Sequence, residues 1–266
     1  MPFGFSVDAL LPKARGGGVL KMGLAKLDAS DWLQPDPDLA ARAAGFAEYP
    51  EGIQLSSEGE AAGAEIAAML GLTGGLLEAA RNHHEDMCLL TLRPGEEQYR
   101  LVGAAVAWPS DWTPADKMGL PLRALHAPIQ GYEEQLASGV DHFMAKLRPG
   151  AIYGRCNWFI AATGERRWVA EPPERAFAHV TPGNAGETLF VRSERQTLRR
   201  LPETGAILFT IGIYVSPLGE LSQVNQQRLA DAVQILLDGE GERRGAGQYA
   251  PALLEFVRTR QIRLEN

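Results

Sequence analysis

The sequence predicts an α+β fold: a PAS-like five-stranded antiparallel sheet with helices on one face, and helical extensions at the N- and C-termini. Three observations lead there. Strand-like runs occur at Met87–Leu92 and Tyr99–Trp108, and again at Tyr153–Ala161, Thr188–Leu198 and Ala206–Ser216. Between the two groups, residues 109–148 have helical spacing with breaks at Pro114, Pro121 and Pro128, because proline removes a backbone donor and restricts the residue before it. Strands collected before and after a block of helices read as α+β rather than as alternating βαβ units. Two strands, then helices, then three strands is the order of a PAS-type sensor domain, whose helices wall a ligand pocket against the sheet.

Taken in order, residues 1–50 read as an N-terminal arm and helix. Gly16-Gly17-Gly18 interrupts the arm, and Asp36 followed by Pro37 marks the start of a short helix running to about Phe46. Residues 51–220 form the expected core. Ser57-Glu58-Gly59-Glu60 has capping-box spacing, and the helix it opens sets Ile66, Met69 and Leu70 on one face. Arg93-Pro94-Gly95-Glu96 turns the first strand into the second. The second strand carries Gly103, Ala104, Ala105 and Ala107, small residues that mark close approach by a flat ligand or by a tightly packed helix. Gly131–Leu147 is the longest helical stretch before the later strands, with Leu136, Val140, Phe143 and Leu147 at near-helical spacing. Pro202-Glu203-Thr204-Gly205 turns the last two strands. Residues 221–266 are C-terminal helices packed on the core, divided by a glycine-rich break at 239–247 before a short helix around Leu253–Val257.

Composition narrows the function classes. The 266-residue chain carries a formal net charge of -7, so no basic field recruits nucleic acid. Arg195, Arg199 and Arg200 cluster without the aromatic interleaving that base stacking uses. The two cysteines, Cys88 and Cys156, each lie in an apolar run; two are too few for a disulfide scaffold or for a four-ligand iron–sulfur cluster. No apolar run matches a signal peptide or a membrane span, which leads us to expect a cytoplasmic protein. There is no P-loop, no G-x-G-x-x-G after a strand and no G-x-S-x-G elbow. Redox chemistry would need electrons from elsewhere.

Two places could carry chemistry. His126 ends a short helical turn in L-R-A-L-H-A-P, projecting from the helix wall toward the small-residue strand. It reads either as a hydrogen-bonded structural histidine or as a metal ligand, and one axial imidazole is all that a heme iron asks of a protein. His83-His84 do not converge on a metal if they start a strand, since adjacent residues there point to opposite faces; Glu85 and Asp86 then cap or pin that strand. The second place is polar. Period two sets Arg155 and Asn157 on one face of their strand, and Arg192 and Glu194 on one face of the next. Charges on a core strand are costly unless paired or met by a polar ligand. The patch is either a solvated salt-bridge ladder or the wall of a pocket that holds a carboxylate and an amine.

Several of these segments together resemble the heme-dependent oxidative N-demethylase family. They are W-P-S-D-W from Trp108, K-M-G-L-P-L-R-A-L-H-A-P from Lys117, R-C-N-W from Arg155, and R-S-E-R-Q-T-L-R-R-L-P-E-T-G-A-I-L-F-T-I from Arg192, with Glu85–Leu89 ahead of the first strand. The resemblance runs over about residues 20–260. It implies a PAS-like heme b domain that uses O2 to remove a methyl group from a small secondary amine, with release of formaldehyde. Electrons would come from NADPH through separate flavin and iron–sulfur reductase subunits. His126 becomes the proximal ligand, with Arg155, Asn157, Gly103 and Ala105 around the cofactor. Glu194 would orient the ammonium, and Arg192 or Arg195 would polarise oxygen or anchor a propionate. A heme-based gas or redox sensor, and a non-catalytic small-molecule-binding protein, remain open on the same scaffold.

Overall fold

The computed structural model describes residues 3–14, 20–169, 171–237, 241 and 244–265. Gly16-Gly17-Gly18 and part of the 239–247 break lie outside the described residues. Seven strands form among those described: β1 (Ala25–Leu27), β2 (Ile53–Leu55), β3 (Asp86–Thr91), β4 (Arg100–Ala105), β5 (Ile152–Ala161), β6 (Phe190–Arg200) and β7 (Ile207–Pro217). The α-helical segments are α1 (Val7–Leu10), α2 (Leu39–Glu48), α3 (Glu60–Met69), α4 (Leu76–Arg81), α5 (Pro114–Lys117), α6 (Leu122–His126), α7 (Ser138–Lys146), α8 (Pro173–Ala176), α9 (Ala185–Thr188), α10 (Gln223–Leu237) and α11 (Ala246–Glu265). A π turn at Glu133–Ala137 leads into α7.

The strands make one antiparallel sheet in the order β1-β5-β6-β7-β3-β4-β2. The five expected strands lie side by side at its centre, and the α+β class holds. The count of five is corrected to seven. Each edge strand has three residues, too few to show a period of two in sequence. Helix starts also shift. The cap of α2 is Asp38 rather than Asp36: the helix begins at Leu39, and Asp38 Oδ1 accepts the N–H of Ala41 at 3.0 Å. A 3-10 turn at Ser57–Gly59 replaces the expected capping box ahead of α3. The last helix is longer than expected, with 20 residues that include Pro251.

Two compact units divide the chain. One comprises Leu20–Arg155 and Arg195–Ile213; the other comprises Cys156–Glu194, the stretch from Tyr214 onward and the N-terminal residues from Phe3. In the first unit, helices cover both faces of the sheet, which corrects the expectation of one face. Gly103 and Ala104 are adjacent in β4 and so face opposite ways. On the Gly103 side, an added Cβ would lie 2.7 Å from Leu55 Cδ1 and 3.1 Å from Leu76 Cδ2 of α4. On the other side, Ala104 joins a buried cluster with Cys88, Leu90, Val106, Leu122, Met144 and Leu147, so α6 and α7 cover that face. The second unit has its own core, where Trp158, Ile160, Leu189 and Val191 meet Leu229, Val233 and Tyr249.

Residues 25–34, expected as part of an arm, are bonded into the first unit. Trp32 Nε1 donates to Thr197 Oγ1 at 3.2 Å, and the Arg199 guanidinium lies 4.4 Å over the Trp32 ring. The β6–β7 turn is fixed from α3: Glu65 accepts N–H groups from Glu203 (2.7 Å) and Thr204 (2.8 Å).

Arg42 of α2 and Asp86 of β3 form a buried ion pair at 2.5 Å. Asp86 also accepts N–H groups from Ala107 and Trp108, so it pins the start of β3 as expected. Arg42 donates to the carbonyls of Ala80 and Glu85 and lies between the rings of Phe46 and Trp108, at 4.7 and 4.8 Å. Its neighbour Glu85 is fully buried. Burial raises the Glu85 carboxyl above its ordinary value of 4.5, although the Gln34 N–H and the charges of Arg195 and Arg42 oppose the shift. A carboxyl raised in the folded state adds no penalty below its unfolded value and costs stability as pH climbs through the folded value. Glu85→Gln is therefore expected to melt higher than the parent at pH 7. That gain should vanish at about pH 3, well below the unfolded carboxyl's ordinary value, where both states of Glu85 are protonated. Thermal unfolding at the two pH values checks this; no gain at pH 7 would mean that the two arginines outweigh burial.

Candidate functional site

Helix α6 carries His126, and its placement starts at Pro121. The proline is extended (φ -70, ψ 155) and stands at the N-cap. The next N–H, of Leu122, is bonded to Tyr99 O at 2.8 Å. This ties the helix start to the strand region, and the Leu122 side chain enters the cluster shared with Ala104 and Val106. Arg123 links the helix to the π turn and to α7, with Nη1 at 2.5 Å from Glu133 Oε1 and Nη2 at 2.9 Å from Asp141 Oδ2. Arg123 is over a third exposed, so this tie orients the helix more than it stabilises it.

One turn later the imidazole is restrained twice. Nδ1 lies 2.8 Å from Leu122 O. A carbonyl can only accept, so Nδ1 carries the proton and Nε2 keeps its lone pair. One ring face stacks on Tyr132, with centroids 4.5 Å apart and planes 8° apart. Burial lowers the His126 pKa from 6.5, and the positive charges of Arg155 and Lys117 lower it further against the Leu122 bond. The imidazole is neutral at pH 7. A neutral ring with Nδ1 bonded to a carbonyl and Nε2 open is the arrangement of a metal-ligating histidine.

The other histidines differ. His83 makes the same bond, Nδ1 to Ala79 O at 2.8 Å, so that bond alone does not single out His126; the parallel stack on Tyr132 does. His84 Nε2 lies 3.0 Å from Ile213 O, while His142 and His179 are exposed.

Arg155 follows Tyr153 by two residues on β5 and shares its face; Tyr153 packs on the cluster under α6 and α7, and its ring meets Phe143 edge-on at 5.2 Å. His126 and Arg155 act on each other electrostatically. Asn157, two residues further on that face, has Oδ1 accepting the N–H of Trp158 at 3.0 Å. In β6, Arg192 and Glu194 share a face and both are buried, at 1% and 6% exposure; Arg192 Nη1 donates to Glu165 O at 3.3 Å.

Three residues fall elsewhere. Arg195 points from the opposite face of β6, where its guanidinium donates to the carbonyls of Asp31 and Trp32 and lies 3.5 Å from the Asp31 carboxylate. It anchors the Trp32 segment, and is not grouped with Arg192 and Glu194. Gly103 and Ala105 face α4, away from the α6 cluster, and the space beside Gly103 is taken by Leu55 and Leu76. The residue that the sequence left unmarked is Tyr132. Its signal is faint: an aromatic directly after Gly131, six positions beyond the histidine.

Residues 46–254 match the family model described as Haem-dependent oxidative N-demethylase, alpha subunit-like. The chain belongs to this family. Membership makes this an N-demethylase-like protein for which the family's name implies heme, and an alpha subunit implies that other subunits exist. The match runs from α2 into α11, so it includes α6, the π turn and the whole of β3 to β7. The donor set fits the implied group: a heme iron takes one imidazole nitrogen with a free lone pair, and His126, with Nδ1 held by Leu122 O, leaves Nε2 for such a bond while the charge of Arg155 acts on the ring. No described helix is long and apolar enough to cross a membrane.

Proposed function

We propose that this N-demethylase family member removes a methyl group from a small secondary amine with O2, using a heme b held through His126 Nε2. The observation that carries the reading is the His126 ring itself: neutral, bonded through Nδ1 to Leu122 O, and open at Nε2. When bound, the heme supplies the chemistry of oxygen reduction and N-methyl oxidation. The chain's own residues do the rest. Leu122 O holds the proton on Nδ1, so that the lone pair stays on Nε2. Leu122 and Leu125 root the helix that carries the ring in the apolar cluster under α6 and α7, and Arg155 supplies a cation for a heme propionate. Glu194 orients the substrate ammonium through a charge-assisted hydrogen bond, and Arg192 holds a propionate or balances that carboxylate. Asn157 lines the same polar face of β5.

The PAS-like reading of the core rests on the contiguous order β5-β6-β7-β3-β4 at the sheet centre. Electrons from NADPH would reach the chain through separate flavin and iron–sulfur subunits, a reading supported by the family's alpha-subunit description, which implies that other subunits exist.

The test is an absorption spectrum of the heme-loaded protein, oxidised and then reduced under carbon monoxide, with and without dimethylamine. We expect a stoichiometric Soret band that shifts on adding the amine, and formaldehyde release when a chemical reductant and O2 are supplied. A stoichiometric Soret band indifferent to amines, with no formaldehyde, would replace the enzyme with a heme sensor.

A further inference from the structure

We propose that Tyr132 is a positioning residue for His126, its ring setting the plane in which the imidazole presents Nε2. The inference rests on His126 being the iron ligand. The bond from Nδ1 to Leu122 O fixes one edge of the ring and leaves its tilt free. The second restraint is the face contact with Tyr132, nearly parallel at 8° and 4.5 Å. Parallel aromatic contact at this distance has an orientational preference beyond simple burial.

The chain between the two residues is built as a closed return. Ile129 N donates to His126 O at 2.9 Å, and Tyr132 N donates in turn to Ile129 O at 3.1 Å. Gly131 has φ +77, a left-handed conformation that other residues adopt at a cost. The π turn Glu133–Ala137 comes directly after Tyr132. Such turns add a residue to the helical repeat and re-aim the side chains around them, often at functional sites. Glu133 within it is held by Arg123, which belongs to the same short helix as His126. Tyr132 itself is 4% exposed, and its hydroxyl is buried with no hydrogen-bond partner among the described residues. No bond from that hydroxyl accounts for the ring's placement; the stack does.

The test uses Tyr132→Phe, which keeps the ring, and Tyr132→Leu, which removes it. In the heme-free protein, nitrogen NMR reads the fraction of His126 with the proton on Nδ1. In the loaded protein, the heme dissociation constant and the iron–histidine vibration are read. We expect Tyr132→Phe to match the parent in all three. For Tyr132→Leu we expect a lower Nδ1–H fraction, a broadened iron–histidine band and about tenfold weaker heme binding, the range seen when a ligand's outer partner is lost. If the leucine variant does not fold, Tyr132→Met fills the space without a ring and is read in the same way. Parent-like tautomer fraction and heme affinity in the ringless variant would overturn the proposal and leave Tyr132 as packing. Failure of the ligand reading looks different: His126→Ala would then keep the parent's heme spectra, while the NMR measurement would still say whether Tyr132 orients the ring.

Discussion

His126→Ala is expected to fold and to lose its iron ligand, weakening heme binding on the order of 100-fold or more, beyond the 10–100-fold that outer-shell losses cost. The structural cost is modest, about 1–3 kcal/mol, because the variant gives up one hydrogen bond to Leu122 O and one ring stack. Heme titration with spectra of the ferric and carbonyl forms reads the loss. Added imidazole should restore part of the parent spectrum by filling the space the side chain leaves. His83→Ala is the matched control, since His83 makes the same bond to a carbonyl four residues back without the stacked ring that Tyr132 gives His126. It should leave both spectra and affinity unchanged. A His126→Ala protein with parent spectra would end the ligand assignment.

Asp86→Ala is expected to be the most destabilising single change in the first unit, lowering the unfolding free energy by about 3–5 kcal/mol. It strands the fully buried Arg42 guanidinium between two aromatic rings and leaves the N–H groups of Ala107 and Trp108 without their acceptor. Against a usual total of about 5–15 kcal/mol, the variant sits near the threshold of folding. Arg42→Met should cost less, because the Asp86 carboxylate keeps its two backbone donors. Urea unfolding of both variants and of the double variant closes the cycle. The double variant should fall well short of the sum of the singles. Strict additivity would show that the pair is not coupled.

Much of the sheet was legible because the five central strands are six to eleven residues long, enough for a period of two to show. The turn at 202–205 was legible from its proline and glycine. Arg42 was not. In sequence it is a charged residue in an alanine-rich helix, and its partner lies 44 positions away. The small residues of β4 were visible, but not what they approach: Gly103 makes room for two leucines. Period two already separated Arg195 from Arg192 and Glu194, and the contact with Asp31 and Trp32 shows what that opposite face is for. For His126 the sequence placed the residue at a helix end but could not give its tautomer, which depends on a carbonyl one turn back. Tyr132 was hidden because a π turn shifts the phase of the helical pattern in which it would be read.

Beyond its N-terminal segment the chain passes from one compact unit to the other at Arg155/Cys156, Glu194/Arg195 and Ile213/Tyr214, and each of these passages falls inside a strand, in β5, β6 and β7. Domain boundaries ordinarily fall in exposed linkers where few contacts cross. Here no contiguous stretch of the gene encodes either unit, so neither can be shuffled, deleted or expressed as a module. Recombination that respects this protein has to carry β5 through β7 as one inheritance. A protease that nicks any of the three strands should collapse both units together rather than release one.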